Sequence, residues 1–157
     1  MSKSEGQYRR GVGVMLLNRD GKVFVGARID NTDEAWQMPQ GGIDEGEKPW
    51  ATALRELEEE TGISSQLVER IAECPERLKY DLPKEIRHRL WGGKWRGQDQ
   101  DWFLARFLGT DADVSIATEH PEFREWQWIE PEELPELIVP FKRDLYRRLL
   151  REFADHL

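Results

Sequence analysis

Between Gly41 and Ile63 the chain gathers Asp44, Glu45, Glu47, Glu56, Glu58, Glu59 and Glu60 against only Lys48 and Arg55, a local balance of −5. The residues around this acidic knot fix its local structure. Gln37 to Gly46 reads QMPQGGIDEG, a Gly-rich loop expected to lack regular structure. A helix is expected from Lys48 to Thr61, because Pro49 suits the first helical turn and Gly62 suits the residue past the end.

Turning the helix by about 100° per residue puts Glu56, Glu59 and Glu60 on one face, at i, i+3 and i+4. Trp50, Leu54, Leu57 and Thr61 fall on another face, which can pack on a sheet, and Glu58 points away from the other three carboxylates. Like charges at this spacing repel by a few tenths of a kcal/mol per pair. Spacing alone fits a solvated acidic face, and it fits equally a site where hard divalent cations such as Mg²⁺ or Mn²⁺ offset the repulsion. The preceding loop favours the cation. Gly41 and Gly42 let backbone approach a ligand closely, and Arg55 can pair with Glu47 to hold the loop against the helix.

Charge elsewhere is distributed to match. The net charge of −8 argues against sequence-blind binding of duplex DNA, yet residues 84–96 and 140–151 each carry a local balance of +4. An acidic knot with basic segments apart from it suits a polyanion handled through metal ions.

With 157 residues, 38% of them hydrophobic and seven of them Trp, the chain is expected to form one domain over 1–157, with residues 1–7 as a flexible tail. No run reaches the roughly 20 apolar residues of a membrane span, and the polar start MSKSEGQYRR lacks a signal-peptide core. Cys74 is the single cysteine, which excludes an intrachain disulfide and a cysteine metal cage and suits a cytoplasmic protein.

Strands are expected at 10–17 and 22–27, joined by a hairpin turn at Asp20-Gly21, and near 67–73, 76–82, 86–91, 101–108 and 123–129. The chain should close with a helix from Pro140, whose apolar stripe is Leu145, Leu149, Leu150, Phe153 and Leu157. Strands interleaved with helices make this an α/β layered fold.

Gly41, Glu47 and the run Arg55-Glu56-Leu57-Glu58-Glu59-Glu60-Thr61-Gly62-Ile63 match G-x5-E-x7-R-E-U-x-E-E-x-G-U, with U a bulky aliphatic, at all nine specified positions. The chain therefore resembles the Nudix hydrolases. Trp36-Gln37-Met38-Pro39-Gln40-Gly41-Gly42, Tyr80-Asp81-Leu82-Pro83, Pro121-Glu122-Phe123 and Phe141-Lys142-Arg143-Asp144 extend the likeness to the branch acting on RNA ends and dinucleoside polyphosphates. The resemblance implies an α/β/α sandwich around a central mixed sheet. It also implies metals on Glu56, Glu59 and Glu60, with the Gly41 carbonyl nearby and Glu122 as a further ligand or base.

Metal-assisted cleavage of a phosphoanhydride needs a carboxylate to take the proton of the attacking water, and Glu56, Glu59, Glu60 and Glu122 are all candidates. Phe141 beside Lys142 is the leading base platform, although Phe141 would equally begin the apolar stripe of the last helix. Arg28, Gln40, Tyr80, Lys84 and Arg87 are expected to contact phosphate or ribose, with Trp36 lining the site. His88 and His120 read as surface residues, and Trp91, Trp95 and Trp102 suit either core or site. Of Trp126 and Trp128, at least one should be core. The substrate implied first is a 5′-triphosphorylated RNA end and second a dinucleoside polyphosphate. A catalytically silent nucleotide sensor would have lost a metal carboxylate, and none is lost.

Overall fold

The structure is a computed structural model that describes residues 7–29, 35–87 and 94–157, with Ile86 and Arg87 as backbone only. The tail expected over 1–7, apart from Gln7, lies outside the described residues, as do His88 and Trp91. The long parallel pair β1 (Tyr8–Leu17) and β6 (Gly97–Phe107) forms the spine, in register from Tyr8↔Gly97 to Leu17↔Arg106. Antiparallel to these run β2 (Val23–Arg28), β3 (Gln40–Gly42), β4 (Val68–Glu73) and β5 (Leu78–Asp81), while β7 (Phe123–Ile129) is antiparallel to β2 and so runs with the spine. The seven-stranded mixed sheet has the order β4-β6-β1-β2-β7, with β3 on β1 and β5 on β6.

Alternation along the strands divides the core into two layers, because successive side chains leave opposite faces. Val12, Val14 and Leu16 of β1 join Phe103, Ala105 and Phe107 of β6 under the helix α1 (Pro49–Thr61), whose Ala53 and Leu57 complete that layer. Met15, Leu17, Trp102 and Leu104 face the other way. They pack on α3 (Leu134–Leu137) and α4 (Arg143–Glu152), meeting Leu134, Leu145, Tyr146 and Leu149. Each large apolar side chain so buried stabilises by about 1.5–3 kcal/mol. The expected α/β/α sandwich around a mixed sheet is what forms.

Three expectations about elements change. The Gly-rich stretch is not all irregular: Gln40–Gly42 is a strand, pairing Gly11↔Gly42, Val12↔Gly41 and Gly13↔Gln40. β1 meets β2 only near the hairpin, at Leu17↔Val23, and the incoming segment fills the space between them. Gln37 exchanges backbone hydrogen bonds with Gly26 at 2.8 and 2.9 Å, and the Val14 amide donates to the Pro39 carbonyl at 3.0 Å. Residues with little strand propensity are extended here because open ladder groups on both sides bind their backbone.

The strand expected at 86–91 is replaced at its start by the short helix α2 (Lys84–Arg87), and residues 88–91 lie outside the described part. The closing helix does not run unbroken from Pro140. A 3-10 turn holds Pro140–Lys142, α4 follows, and a second 3-10 turn at Ala154–His156 leaves Leu157 half exposed. Trp126 stacks on Phe24 and Trp128 meets it edge-on, both on the α1 side at centroid distances of 5.6 Å.

Candidate active site

The α1 helix starts and stops as its sequence dictates. Pro49 sits at the start, and Gly62 closes the helix in the left-handed conformation (φ 72°), its amide donating to the Glu58 carbonyl. The face that packs on the sheet differs from the expected one. Thr52, Ala53, Leu57, Glu60 and Thr61 are buried, while Trp50 and Leu54 are its half-buried edges. A glutamate, Glu60, therefore occupies a packing position. The three carboxylates share a helix surface but not an environment. Glu60 is buried, the Glu56 side chain is 15% exposed and the Glu59 side chain 57% exposed.

Arg55 binds the loop to the helix as its position predicted. Its Nε and Nη2 donate to the two Glu47 carboxylate oxygens at 3.2 and 3.0 Å, a forked pairing. Glu47 in turn accepts from the Asp44 amide at 2.8 Å, so one carboxylate secures the loop at two points. The Asp44 amide and the Arg55 guanidinium hold Glu47 below the usual carboxylate range. The Nη1 of Arg55 reaches Glu56 at 3.1 Å and Glu59 at 3.2 Å, and this carboxylate surround raises the guanidinium's pKa despite the opposing cost of burial.

The buried carboxyls carry most of the site's electrostatic tension. Burial pushes Glu60 well above its ordinary range, and Glu122 and Glu56 push it further; the Gln40 backbone and Arg28 act weakly the other way. Neither Glu60 oxygen completes a hydrogen bond within the protein. Burial, opposed by Arg55 and aided by Glu59 and Glu122, lifts Glu56 to about 7. An acidic oxygen pair buried without partners costs free energy unless something positive meets it. Gly41 makes the close packing possible, since a Cβ there would stand 2.2 Å from the Glu56 carboxyl carbon. Glu122 precedes β7 and reaches the same cluster, with Arg28 3.8 Å from its carboxylate. Arg28 lies where the β2–β7 register shifts, an irregularity of the kind that redirects a side chain.

Oxygen donors of this kind fit a hard divalent cation. Among the described residues no three acidic side chains converge as a cation cage, and Glu59 is turned outward to Arg55. That contact is exposed and weak, so Glu59 can leave it at little cost.

An aromatic platform lies where β5 meets the turn ahead of α4. The Tyr80 and Phe141 rings are 6.0 Å apart, and the Lys142 Nζ stands 5.0 Å above Tyr80 and 6.0 Å from Phe141. Phe141 belongs to the 3-10 turn ahead of α4 and is only partly buried, so it edges the core and keeps ring surface toward solvent. Burial pushes the Tyr80 hydroxyl up to about 12, against the opposing influence of Gln40, Arg28 and Arg9. The structure thus gathers Arg28, Gln40, Tyr80, Phe141 and Lys142. Lys84 is exposed at the start of α2, apart from the platform, and the Arg87 side chain is outside the described part. Trp36 packs against the α3–α4 core layer, with its amide on the Leu137 carbonyl.

Sequence reading missed the polar network under this platform. The Gln100 amide donates to Gln40 at 3.0 Å and to Gln98 at 2.7 Å, and accepts from the Trp102 indole at 2.9 Å. The signal was present in the alternation of Gln98, Gln100 and Trp102, which places all three on one face of β6. Arg9 was missed as well; its guanidinium lies where a Cβ on Gly42 would stand.

A model of the NUDIX domain matches residues 7–149, and the chain belongs to the NUDIX family. It is 59% identical over 149 residues to an RNA pyrophosphohydrolase of Erythrobacter litoralis (strain HTCC2594), covering 94% of this chain and 91% of that protein. Its fold is shared with the E. coli dihydroneopterin triphosphate pyrophosphohydrolase (TM-score 0.71, 20% identity, 92% of this chain and 97% of that one). A C. elegans Ap4A hydrolase complex also has this fold (TM-score 0.67, 22% identity, 94% and 98%).

Proposed function

We propose that this chain removes pyrophosphate from the 5′-triphosphate end of RNA and leaves a 5′-monophosphate. It is a Nudix hydrolase acting on phosphoanhydride bonds, and the 59%-identical relative named for that activity supports the choice of substrate. The observation that carries the reaction is the buried Glu60 carboxyl, without protein hydrogen bonds and under the negative charge of Glu122 and Glu56.

Nudix hydrolases generally use divalent cations, and here Mg²⁺ or Mn²⁺ would be held by Glu56, Glu60 and Glu122, with Glu59 turning inward from Arg55 and the Gly41 backbone alongside. The cation supplies charge neutralisation on the phosphates and activation of the attacking water. The protein supplies position. Glu47 and Arg55 fix the loop, so Gly41 and Glu56 keep their close approach. Water adds its oxygen to the triphosphate, the bond between the α- and β-phosphates breaks, and pyrophosphate leaves with the electron pair. One of the four carboxylates takes the water's proton.

Phe141, partly buried beside the core residue Tyr80, offers aromatic surface for a base near the reacting end, worth about 1–3 kcal/mol per stacked base. Lys142 and Arg28 supply positive charge between base and phosphates. Recognition of a chain end engages few phosphates, which reconciles an acidic protein with an RNA substrate. The reaction needs no membrane, and among the described residues no helix is long and apolar enough to cross one.

The test is turnover with added Mg²⁺ or Mn²⁺ on triphosphorylated RNA and on diadenosine polyphosphates, side by side, with the products identified. Pyrophosphate released from RNA with the higher kcat/KM supports the proposal. Preference for the dinucleotide by orders of magnitude would replace it with a dinucleoside polyphosphate hydrolase, which uses the same chemistry.

A further inference from the structure

The outer face of α4 is basic. Residues 140–151 hold Lys142, Arg143, Arg147, Arg148 and Arg151 against Asp144, a +4 island on a chain of net charge −8. Their placement is ordered. Arg143, Arg147 and Arg151 recur every four residues, so they form one stripe along the helix, and each step rises about 6 Å. The stripe begins beside Lys142, whose Nζ lies over the Tyr80 ring. Arg143 is half buried and anchored, its Nε donating to the Pro135 carbonyl at 2.8 Å. Arg147 and Arg151 are exposed.

Extended to residues 142–155, the segment sets five cations against Asp144, Glu152 and Asp155 and stays positive, at +2. Asp144 is 3.4 Å from Arg147, but the two side chains are 97% and 55% exposed, and such pairs hold little energy. Glu152 is engaged by Arg148, which lies off the stripe, at 2.7 Å. The helix does not use the exposed Arg147 and Arg151 to pack, since Leu145, Tyr146 and Leu149 bury its inner face.

We infer that the Arg143–Arg147–Arg151 stripe of α4 is a track for the phosphates of the RNA chain downstream of the reacting end. This rests on the reading of the protein as an RNA pyrophosphohydrolase and deepens it. The occupant is single-stranded RNA, selected by charge complementarity and by continuity with the Phe141–Lys142 platform. On a chain of net negative charge a polyanion is drawn to its cationic segments, of which this one adjoins the platform. A dinucleoside polyphosphate is too short to use the track, so the stripe separates the two substrate classes.

The experiment compares the wild type with Arg147→Gln/Arg151→Gln, two exposed substitutions, on three substrates: a long single-stranded triphosphorylated RNA, a triphosphorylated dinucleotide and diadenosine tetraphosphate. The expected result is a loss of about tenfold in kcat/KM on the long RNA, carried by KM, together with a shallower salt dependence, by about 1.4 in log–log slope. Turnover of both short substrates stays within about twofold, the change ordinary for a remote surface charge. An equal effect on long and short substrates, or none on the long RNA, overturns the track while leaving the pyrophosphohydrolase reading intact. A wild type inert on every triphosphorylated RNA but active on diadenosine tetraphosphate overturns both.

Discussion

The two helical layers of the sandwich solve the same packing problem in opposite ways. α4 turns Leu145, Tyr146 and Leu149 inward and keeps its arginines outside, which is all that folding asks of an amphipathic helix. α1 buries Ala53 and Leu57 in the same manner, yet it buries Glu60 with them and half-buries Glu56. Nothing in the packing of α1 requires a carboxyl there. A helix that carries an unpartnered acid into its own interface gives up stability for chemistry, whereas α4 gives up nothing. The layer with the buried charge is the one to suspect of function.

The comparison breaks most visibly if the buried carboxyl proves dispensable. Glu60→Gln, which keeps the shape, should fold and lose turnover by about 10²- to 10³-fold, the scale of removing one preorganised electrostatic group. Glu59→Gln should likewise fold and lose nearly all divalent-dependent turnover; steady-state kinetics with circular dichroism as the folding control checks both. On the α4 side, Phe141→Ala should raise KM roughly tenfold, the loss of one stacked base, with kcat nearly unchanged.

The smallest effect concerns stability without divalent cations. Glu60 and Glu56 are held above their ordinary range in the folded state, so the folded protein binds more protons than the unfolded chain. Stability should therefore be fully present below about 4.5 and fall as pH rises through about 7. Glu60→Gln removes most of that slope and should raise Tm at neutral pH by roughly 5 °C, measured by thermal melts in chelator. A flat wild-type profile would show that Glu60 is not strained.

Much of this could be read beforehand because it is local. Pro49, Gly62 and the glutamate spacing delimit α1, the Asp20-Gly21 turn fixes the hairpin, and Arg55 pairs with Glu47 as its position implies. What stayed hidden depends on partners distant in sequence. Gln40–Gly42 has no strand signature and becomes β3 only because β1 and β2 splay apart and leave ladder groups to satisfy. The start of β6, Gly97 to Gln100, is polar and falls outside the strand expected at 101–108. It is a strand whose Gln98 and Gln100 are buried because Gln40 and Trp102 complete their hydrogen bonds. The inward turn of Glu60 escaped for a similar reason. Helical periodicity groups it with Glu56 and Glu59, but the sheet's position decides which edge of that group is buried.

The account stands on the α1 carboxylates meeting a divalent cation. Mn²⁺ titration of the substrate-free protein, followed by electron paramagnetic resonance, reads that directly and without reference to turnover. Saturable binding to the wild type, weakened at least about tenfold in Glu56→Gln and in Glu60→Gln, is the predicted result. Equal binding by all three proteins, or none by the wild type, would contradict it.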